Sequence, residues 1–373
     1  EIIGNPDKYA RAVQLRNTLL TFPVHQGFGY KEANYLLQCY LKSIKTQIDK
    51  ILYRLKTFNG EAKEWSHLLN SAGKSNLLQS WAYGEAKKNI ENWDLQRFLI
   101  TQEEKNIAMV QVLTKRFGPI KIIRINRGPI FLTDLNFSTI KGVYQCLKKR
   151  FSVLKGKVLL IAPELNEHPM NDTAIKLSAY NLRRKSTWCS AWLDLSLSEK
   201  ILRKNLTSKW RNMLNVAERD QLLFFELDVS EQGFQWMMRC YAEMQKQKDF
   251  QGPAISLLVE LRQQLEQKKD FLICRALNSE KEVVAAAVLS FHGSSATYLI
   301  GWNGNEGRKL KANNFLLWNG ILELKRRGCQ WFDIGGIDEI NTPDISRFKK
   351  GMNGELYSLI GEWCNFKILP FSP

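Results

Sequence analysis

Histidine is scarce in this sequence and cysteine is never closely paired: four histidines and seven cysteines are spread over 373 residues. The histidines (His25, His67, His168, His292) share no helical or loop spacing, and no two of the cysteines (Cys39, Cys146, Cys189, Cys240, Cys274, Cys329, Cys364) form a CxxC pair. The common zinc and iron–sulfur patterns are therefore excluded, and no metal site is expected. An odd number of dispersed thiols in apolar surroundings also argues against a disulfide framework and for a reducing, cytoplasmic compartment. The signatures of enzyme nucleophiles and nucleotide loops are missing as well: there is no G-x-S-x-G, no H-E-x-x-H and no Walker loop. No apolar run approaches the ~18 residues of a membrane span. The start, Glu1-Ile-Ile-Gly-Asn-Pro6, shows no charged-then-apolar signal pattern, and without an initiator Met it reads as a trimmed start.

Acids are also in short supply, 37 against 54 Lys and Arg, giving a net charge of +17. A surface this basic attracts polyanions: a nucleic acid, a nucleotide-linked substrate or an anionic lipid surface. The cations sit in small clusters (Lys148-Lys-Arg150, Arg183-Arg-Lys185, Lys325-Arg-Arg327, Lys349-Lys350) rather than in a tail, which predicts a shaped charged face. With 44% apolar residues, 19 Phe and 11 Trp, the chain can supply two cores.

Along residues 31–57 the apolar positions Leu37, Leu41, Ile44, Ile48, Ile51 and Leu55 line one face of a helix, so residues 1–61 read as an N-terminal helical extension with an irregular lead-in at Pro23 and Gly27-Phe-Gly29. Two similar arrangements follow. Strands at Ile107–Leu113 and Ile120–Ile125 precede a helix over Phe137–Phe151 and a strand over Lys157–Ala162. Strands at Val283–Leu289 and Ala296–Trp302 precede a helix over Asn313–Arg327 and a strand over Gln330–Ile334. The repetition predicts a duplicated α/β unit, with domains at 62–184 and 185–354, a boundary near Arg184 and a cleft between them.

The chemistry concentrates near the C-terminus. Gly328-Cys-Gln-Trp-Phe-Asp-Ile-Gly-Gly-Ile337 is an apolar strand ending in an acid and two glycines, and Arg347-Phe-Lys-Lys-Gly351 is a basic turn. Together they expose backbone and positive charge, which suits stabilisation of developing negative charge. Lys87, Arg127, Arg211, Asp333, Lys349 and Lys350 form the set suited to holding anions. Lys87 reads equally as a solvated helix lysine, Arg211 as a partner of Glu218 or Asp220, and Asp333 as an acceptor for turn amides beside Gly335 and Gly336.

At these residues the sequence resembles the Fem family, transferases that move amino acids from aminoacyl-tRNA to peptidoglycan precursors. The resemblance runs from about Glu64 to Trp363. It rests on Gln79-Ser80-Trp81 leading to Lys87, Arg127-Gly-Pro129, Leu195-Ser-Leu-Ser-Glu199 with Lys209-Trp-Arg-Asn212, Leu317-Trp-Asn-Gly-Ile-Leu-Glu323, Phe332-Asp-Ile-Gly-Gly336 and Arg347-Phe-Lys-Lys-Gly351. It implies an α/β fold of two tandem acetyltransferase-like (GNAT) domains with mixed sheets flanked by helices, the strands at 355–373 returning to the first domain. It implies that Lys349, following Phe348, steadies an oxyanion and that Lys87 and Arg211 contact the diphosphate of a nucleotide-sugar acceptor; Arg127, Asp333 and Lys350, from the anion-holding set, are expected to complete the substrate site. Aminoacyl-tRNA is then the co-substrate, with no bound cofactor; the basic charge, independently of the resemblance, is compatible with peripheral contact to an anionic membrane. The long helical hairpin of some family members has no room between Ala217 and Leu257. An acyl-CoA-dependent N-acyltransferase is the alternative, disfavoured because Arg308-Lys-Leu-Lys-Ala-Asn313 has Lys311 and Asn313 where a pyrophosphate loop carries glycines. A nucleic-acid-binding protein without catalysis accounts for the charge but not for the C-terminal motifs.

Overall fold

Residues 107–113 and 284–290 are buried without a break, as strands covered on both faces must be, and they form the spines of two mixed sheets. The structure, a computed structural model, describes residues 53–366 except 186–187, 220, 249–251, 266 and 268–269. The first half runs β1 (Tyr53–Thr57), α1 (Ala62–Ser71), α2 (Trp81–Glu91), β2 (Asp94–Gln102), β3 (Lys105–Phe117), β4 (Ile120–Ile125), β5 (Ile130–Phe131), α3 (Phe137–Arg150), β6 (Lys157–Ile161), α4 (Pro169–Leu177) and β7 (Asn181–Arg184). The second runs β8 (Cys189–Asp194), α5 (Glu199–Asn205), α6 (Ser208–Arg219), β9 (Phe224–Asp228), α7 (Glu231–Lys248), α8 (Ile255–Gln264), β10 (Phe271–Leu277), β11 (Val283–His292), β12 (Ser295–Asn303), α9 (Asn305–Lys309), α10 (Ala312–Arg326), β13 (Trp331–Asp333), α11 (Pro343–Lys350), β14 (Glu355–Ser358) and β15 (Glu362–Cys364).

The sheet orders are β1-β2-β3-β4-β6-β15-β7, with β5 beside β3, and β14-β8-β13-β12-β11-β10-β9. In each, an antiparallel meander ends in one parallel pair joined by a helical crossover: α3 carries the chain from β4 to β6, and α10 carries it from β12 to β13. Asn136 caps α3 by accepting from the Thr139 amide, and Ile140, Val143, Tyr144 and Leu147 then bury the helix against Ile123, Ile125, Leu159 and Ile161. The chain passes from one sheet to the other between Arg184 and Cys189. The duplicated unit read from the sequence is present in both halves.

Two expectations are corrected. The predicted helix lies outside the described residues as far as residue 52, and its last segment is not helical. Tyr53–Thr57 is an edge strand paired with β2, Tyr53 and Leu55 packing inward while Arg54 and Lys56 reach Glu104, a period of two that outweighs the single helical match at Leu55. Nor do all the C-terminal strands return to the first sheet. β14 pairs with β8 in the second, and only β15 crosses back, inserting between β6 and β7. Between Ala217 and Leu257 the described chain forms β9, α7 and the start of α8, and Phe234, Met237, Met238 and Tyr241 of α7 sit in the core beneath β10 and β12.

The halves are joined by shared core. Leu77, Ala82 and Ala86, at and before α2, are buried in one cluster with Phe234, Leu258, Phe271 and Ile300. Polar clamps continue the seam: the Ser75 hydroxyl donates to the His292 carbonyl at 2.9 Å, and its amide donates to Ser295 Oγ at 3.1 Å.

Candidate active site

The seam leads to a buried polar cluster at the end of β13. Gln79 and Asn76 build its first wall: Gln79 Nε2 donates to the Asn126 carbonyl at 2.7 Å, Gln79 Oε1 accepts from the Gln111 amide at 2.8 Å, and Asn76 Nδ2 donates to the Arg127 carbonyl at 2.8 Å. The Gln79-Ser80 and Arg127-Gly-Pro129 motifs are thus one unit. Arg127 is held with φ of 45°, a backbone strain that these bonds sustain.

From that turn the Arg127 guanidinium forms a two-pronged pair with Glu164, Nε and Nη2 each 2.7 Å from a carboxylate oxygen. Nη2 also donates to the Tyr357 hydroxyl at 2.8 Å, and Nη1 lies 3.4 Å from Asp333 Oδ2. Tyr357 in turn donates to Asp333 Oδ2 at 2.8 Å. Burial works against the Arg127 charge, but Glu164, Tyr357 and Asp333 outweigh it and hold the guanidinium cationic, well above its usual range. One first-half cation therefore ties two acids, one from each half, across the seam.

Asp333, with no exposed surface, spends its other oxygen on the turn that follows. Oδ1 accepts from the Gly335 amide at 2.9 Å and from the Ser190 hydroxyl. Gly335 has φ of 73°, and a Cβ there would come within 2.7 Å of the Tyr298 carbonyl oxygen, so the turn admits glycine alone. The turn aims the Gly336 carbonyl at Lys349.

Lys349 occupies the last turn of α11, only 7% exposed, and donates to Gly336 O at 2.8 Å. Its Nζ is 5.1 Å from the centre of the Tyr298 ring. Burial pulls its pKa down to about 8, with the charge of Asp333 acting in the opposite direction. Among the described residues one of its three ammonium protons is committed. β13 stops where Asp333 pairs with Thr297, whereas β12 runs on to Asn303. The register there passes from Leu289↔Tyr298 to Val288↔Ile300, leaving Leu299 without a partner on β11. Lys349 therefore faces an irregular strand at a point of strand divergence. His292 lines the same region from β11, Nε2 2.7 Å from Thr297 Oγ1. Burial lowers its pKa to about 3, so it is uncharged and no acid catalyst at neutral pH.

The sequence-predicted residues separate into two groups. Lys349, Asp333 and Arg127 come together. Phe348 supports them from the other side of α11, its ring 5.9 Å from that of Trp210, and Lys350 pairs with Glu339. Lys87 and Arg211 stand on other elements, α2 and α6. Lys87 on α2 pairs with Glu91; a cleft of about 580 Å³ is lined by Lys88, Asn89, Asn92, Trp93 and Asp94, and Lys87 is not among its lining residues. Arg211 on α6 donates to the Lys204 carbonyl at 2.9 Å, while Glu218 is taken by Arg203; the cleft along that helix, about 440 Å³, is lined by Lys209, Asn212, Met213, Val216 and Lys311. Arg127 and Asp333, expected to touch substrate, are spent on each other, Glu164, Tyr357 and Ser190, a positioning arrangement. Asp333 does accept from a turn amide, as its place before two glycines suggested.

Glu164, Tyr357 and Ser190 were missed. Glu164 had a partial signal: it lies just beyond the end of β6, the strand that corresponds in the duplicated unit to β13, which Asp333 ends. Tyr357 and Ser190 had none, because the pairing of β14 with β8 that brings them in is long-range.

The acetyltransferase (GNAT) domain family matches residues 202–350. No curated protein matches the chain significantly. The solved structure of FemX is 15% identical, with a TM-score of 0.71 over 84% of this chain and 97% of that one. A conserved protein of unknown function from Bacteroides thetaiotaomicron is 13% identical, with a TM-score of 0.54 over 83% of this chain and 98% of that one. L-PGS from Bacillus licheniformis is also 13% identical, with a TM-score of 0.50 over 83% of this chain and 94% of that one. The fold implied by the resemblance to the Fem family is the one observed: the described residues have the α/β fold of FemX, and part of the second half is similar to the acetyltransferase (GNAT) domain family.

Proposed function

We propose that the protein is an aminoacyltransferase that moves an amino acid from aminoacyl-tRNA to an amine of a peptidoglycan precursor or related peptide acceptor. The observation that carries this reading is Lys349, a buried cation hydrogen-bonded to Gly336 O with ammonium protons to spare beside the divergence of β12 and β13. The acceptor amine attacks the ester carbonyl carbon and a C–N bond forms. The carbonyl oxygen becomes an oxyanion, which Lys349 meets with an N–H. The C–O bond to the terminal ribose then breaks, and the proton released by the amine ends on the departing hydroxyl. The ester is already activated, so no enzyme nucleophile is required, and positioning with electrostatic stabilisation supplies the acceleration.

Arg127, Glu164, Tyr357 and Asp333 keep the 333–336 turn in place, and with it Gly336 O and the Lys349 ammonium. Lys87 is assigned to an acceptor phosphate, which must compete with Glu91, and Arg211 to an anionic group of either substrate. The net charge of +17 supplies the attraction for tRNA, and a donor of this kind sets the reaction in the cytoplasm. Against acyl-CoA stands the start of α10, where Lys311 occupies the left-handed cap position that a pyrophosphate loop gives to small residues.

The donor decides. Purified protein with charged tRNA and an acceptor peptide is expected to form product that disappears after ribonuclease treatment and is not restored by acetyl-CoA. Transfer from an acyl-CoA without RNA overturns the reading in favour of an acyl-CoA N-acyltransferase.

A further inference from the structure

At the far end of the first sheet, the β3–β4 hairpin projects past its neighbours. β2 reaches β3 only as far as the Asp94↔Thr114 pair, so Lys115, Arg116 and Phe117 pair with β4 alone, Phe117 opposite Ile120. The turn between α3 and β6 lies against this tip: the Lys121 amide donates to the Gly156 carbonyl at 2.8 Å, and a Cβ on Gly156 would stand 3.1 Å from the Pro119 carbonyl oxygen. The joined tips expose four large apolar side chains, Phe117 at 57%, Ile120 at 46%, Val153 at 40% and Leu154 at 97%.

These side chains are surrounded by cations. Arg116 pairs across the hairpin with Lys121, and Lys121 lies beside Lys157 on β6. Lys157 is held below its usual pKa first by burial and then by Arg150, Lys121 and Lys155, which marks the group as closely spaced. Neither 115–121 nor 148–157 contains an acid. Behind the tip, Asp94 pairs with Thr114, Glu91 accepts from the Trp93 indole, and Lys115 lies over the Trp93 ring. The basic end of α3 complements its helix dipole, but that leaves the exposed Phe117 and Leu154 unaccounted for.

We infer that this corner is a docking surface for an anionic lipid bilayer, with Phe117, Ile120, Val153 and Leu154 entering the interface and Arg116, Lys121, Lys155 and Lys157 meeting lipid headgroups. A projecting apolar tip within a cationic ring fits a surface that is anionic outside and apolar just beneath. An RNA backbone complements the cations but offers no apolar layer for Leu154. The inference does not depend on the role of Lys349.

The test is co-sedimentation with vesicles of phosphatidylcholine alone and of phosphatidylcholine containing about one-third phosphatidylglycerol, a composition chosen to give a strong surface potential. The wild type is expected on the anionic vesicles, less so as salt rises. Phe117→Ser with Leu154→Ser should lower the partition constant by about tenfold, and Arg116→Gln with Lys155→Gln by a similar factor with a shallower salt dependence. These residues are exposed, so an unchanged circular dichroism melt certifies the fold. Equal sedimentation with both vesicle types, unaltered binding by the double variants, or binding of RNA through these residues with no vesicle binding overturns the inference.

Discussion

Replacing Lys349 by Met is expected to make the protein more stable while disabling it. A lysine whose pKa falls from 10.5 to about 8 on folding costs the native state roughly 3 kcal/mol, at about 1.36 kcal/mol per pH unit. The folded pKa is the lower one, so between about pH 8 and 10.5 the unfolded chain binds more protons. The penalty is therefore complete below about pH 8 and is relieved as pH rises toward 10.5. Met has comparable length and no charge to desolvate. It forfeits the 2.8 Å bond to Gly336 O, which takes back about 1–2 kcal/mol, and it leaves Asp333 to the cation of Arg127. The net gain at pH 7 is about 1–2 kcal/mol, or a Tm raised by about 1–3 °C in a chain of this size. Thermal melts from pH 7 to 10 provide the assay: the wild type should gain stability relative to Lys349→Met across that range, closing the gap. A Tm that drops by several degrees at pH 7, or a gap unchanged with pH, refutes the reasoning and makes Lys349 a structural contact. Residues kept at a cost to stability are characteristic of functional sites.

Arg127→Met should cost about 3–5 kcal/mol by leaving Glu164 and Asp333 buried without their cation, whereas Lys87→Met, breaking a single helical pair with Glu91, should cost under about 1 kcal/mol; urea unfolding distinguishes them. If Lys87 holds an acceptor phosphate, the same Lys87→Met variant should raise acceptor KM with little change in kcat, and an unchanged KM removes it from the site. Asp333→Asn removes the charge that raises the Lys349 pKa, so the alkaline fall in transfer rate should move to lower pH; a fall that stays in place severs the electrostatic link between the two.

The fold was legible because its signals are local. The largely apolar runs of β3 and β11, each followed by a second strand, a helix and a further strand, recur in both halves, and a repeat confirms its own reading. Tyr53–Thr57 was misread because one Leu at the right spacing extends a helical pattern as easily as it begins a strand, and pairing with β2 settled the matter. The Lys349 region was legible as an acid, two glycines and a basic turn. Its construction was not: Arg127 reaches Asp333 across 206 positions of sequence and Tyr357 reaches Arg127 across 230, contacts set by sheet assembly. The resemblance assigns Lys87 and Arg211 together, and the structure places them on separate helices, α2 and α6, with local partners, Glu91 and the Lys204 carbonyl.

The central claim is that the cationic form of Lys349 stabilises the transition state of aminoacyl transfer. Single-turnover rates from charged tRNA, measured for wild type and Lys349→Met between pH 6.5 and 9.5 and expressed as a ratio, test it most directly, because titration of the acceptor amine cancels. The ratio should be about 100 or more at pH 7, as for loss of an oxyanion donor, and should decline as pH passes through about 8. A ratio within a few-fold of one at pH 7, or a large ratio that stays flat to pH 9.5, contradicts the account.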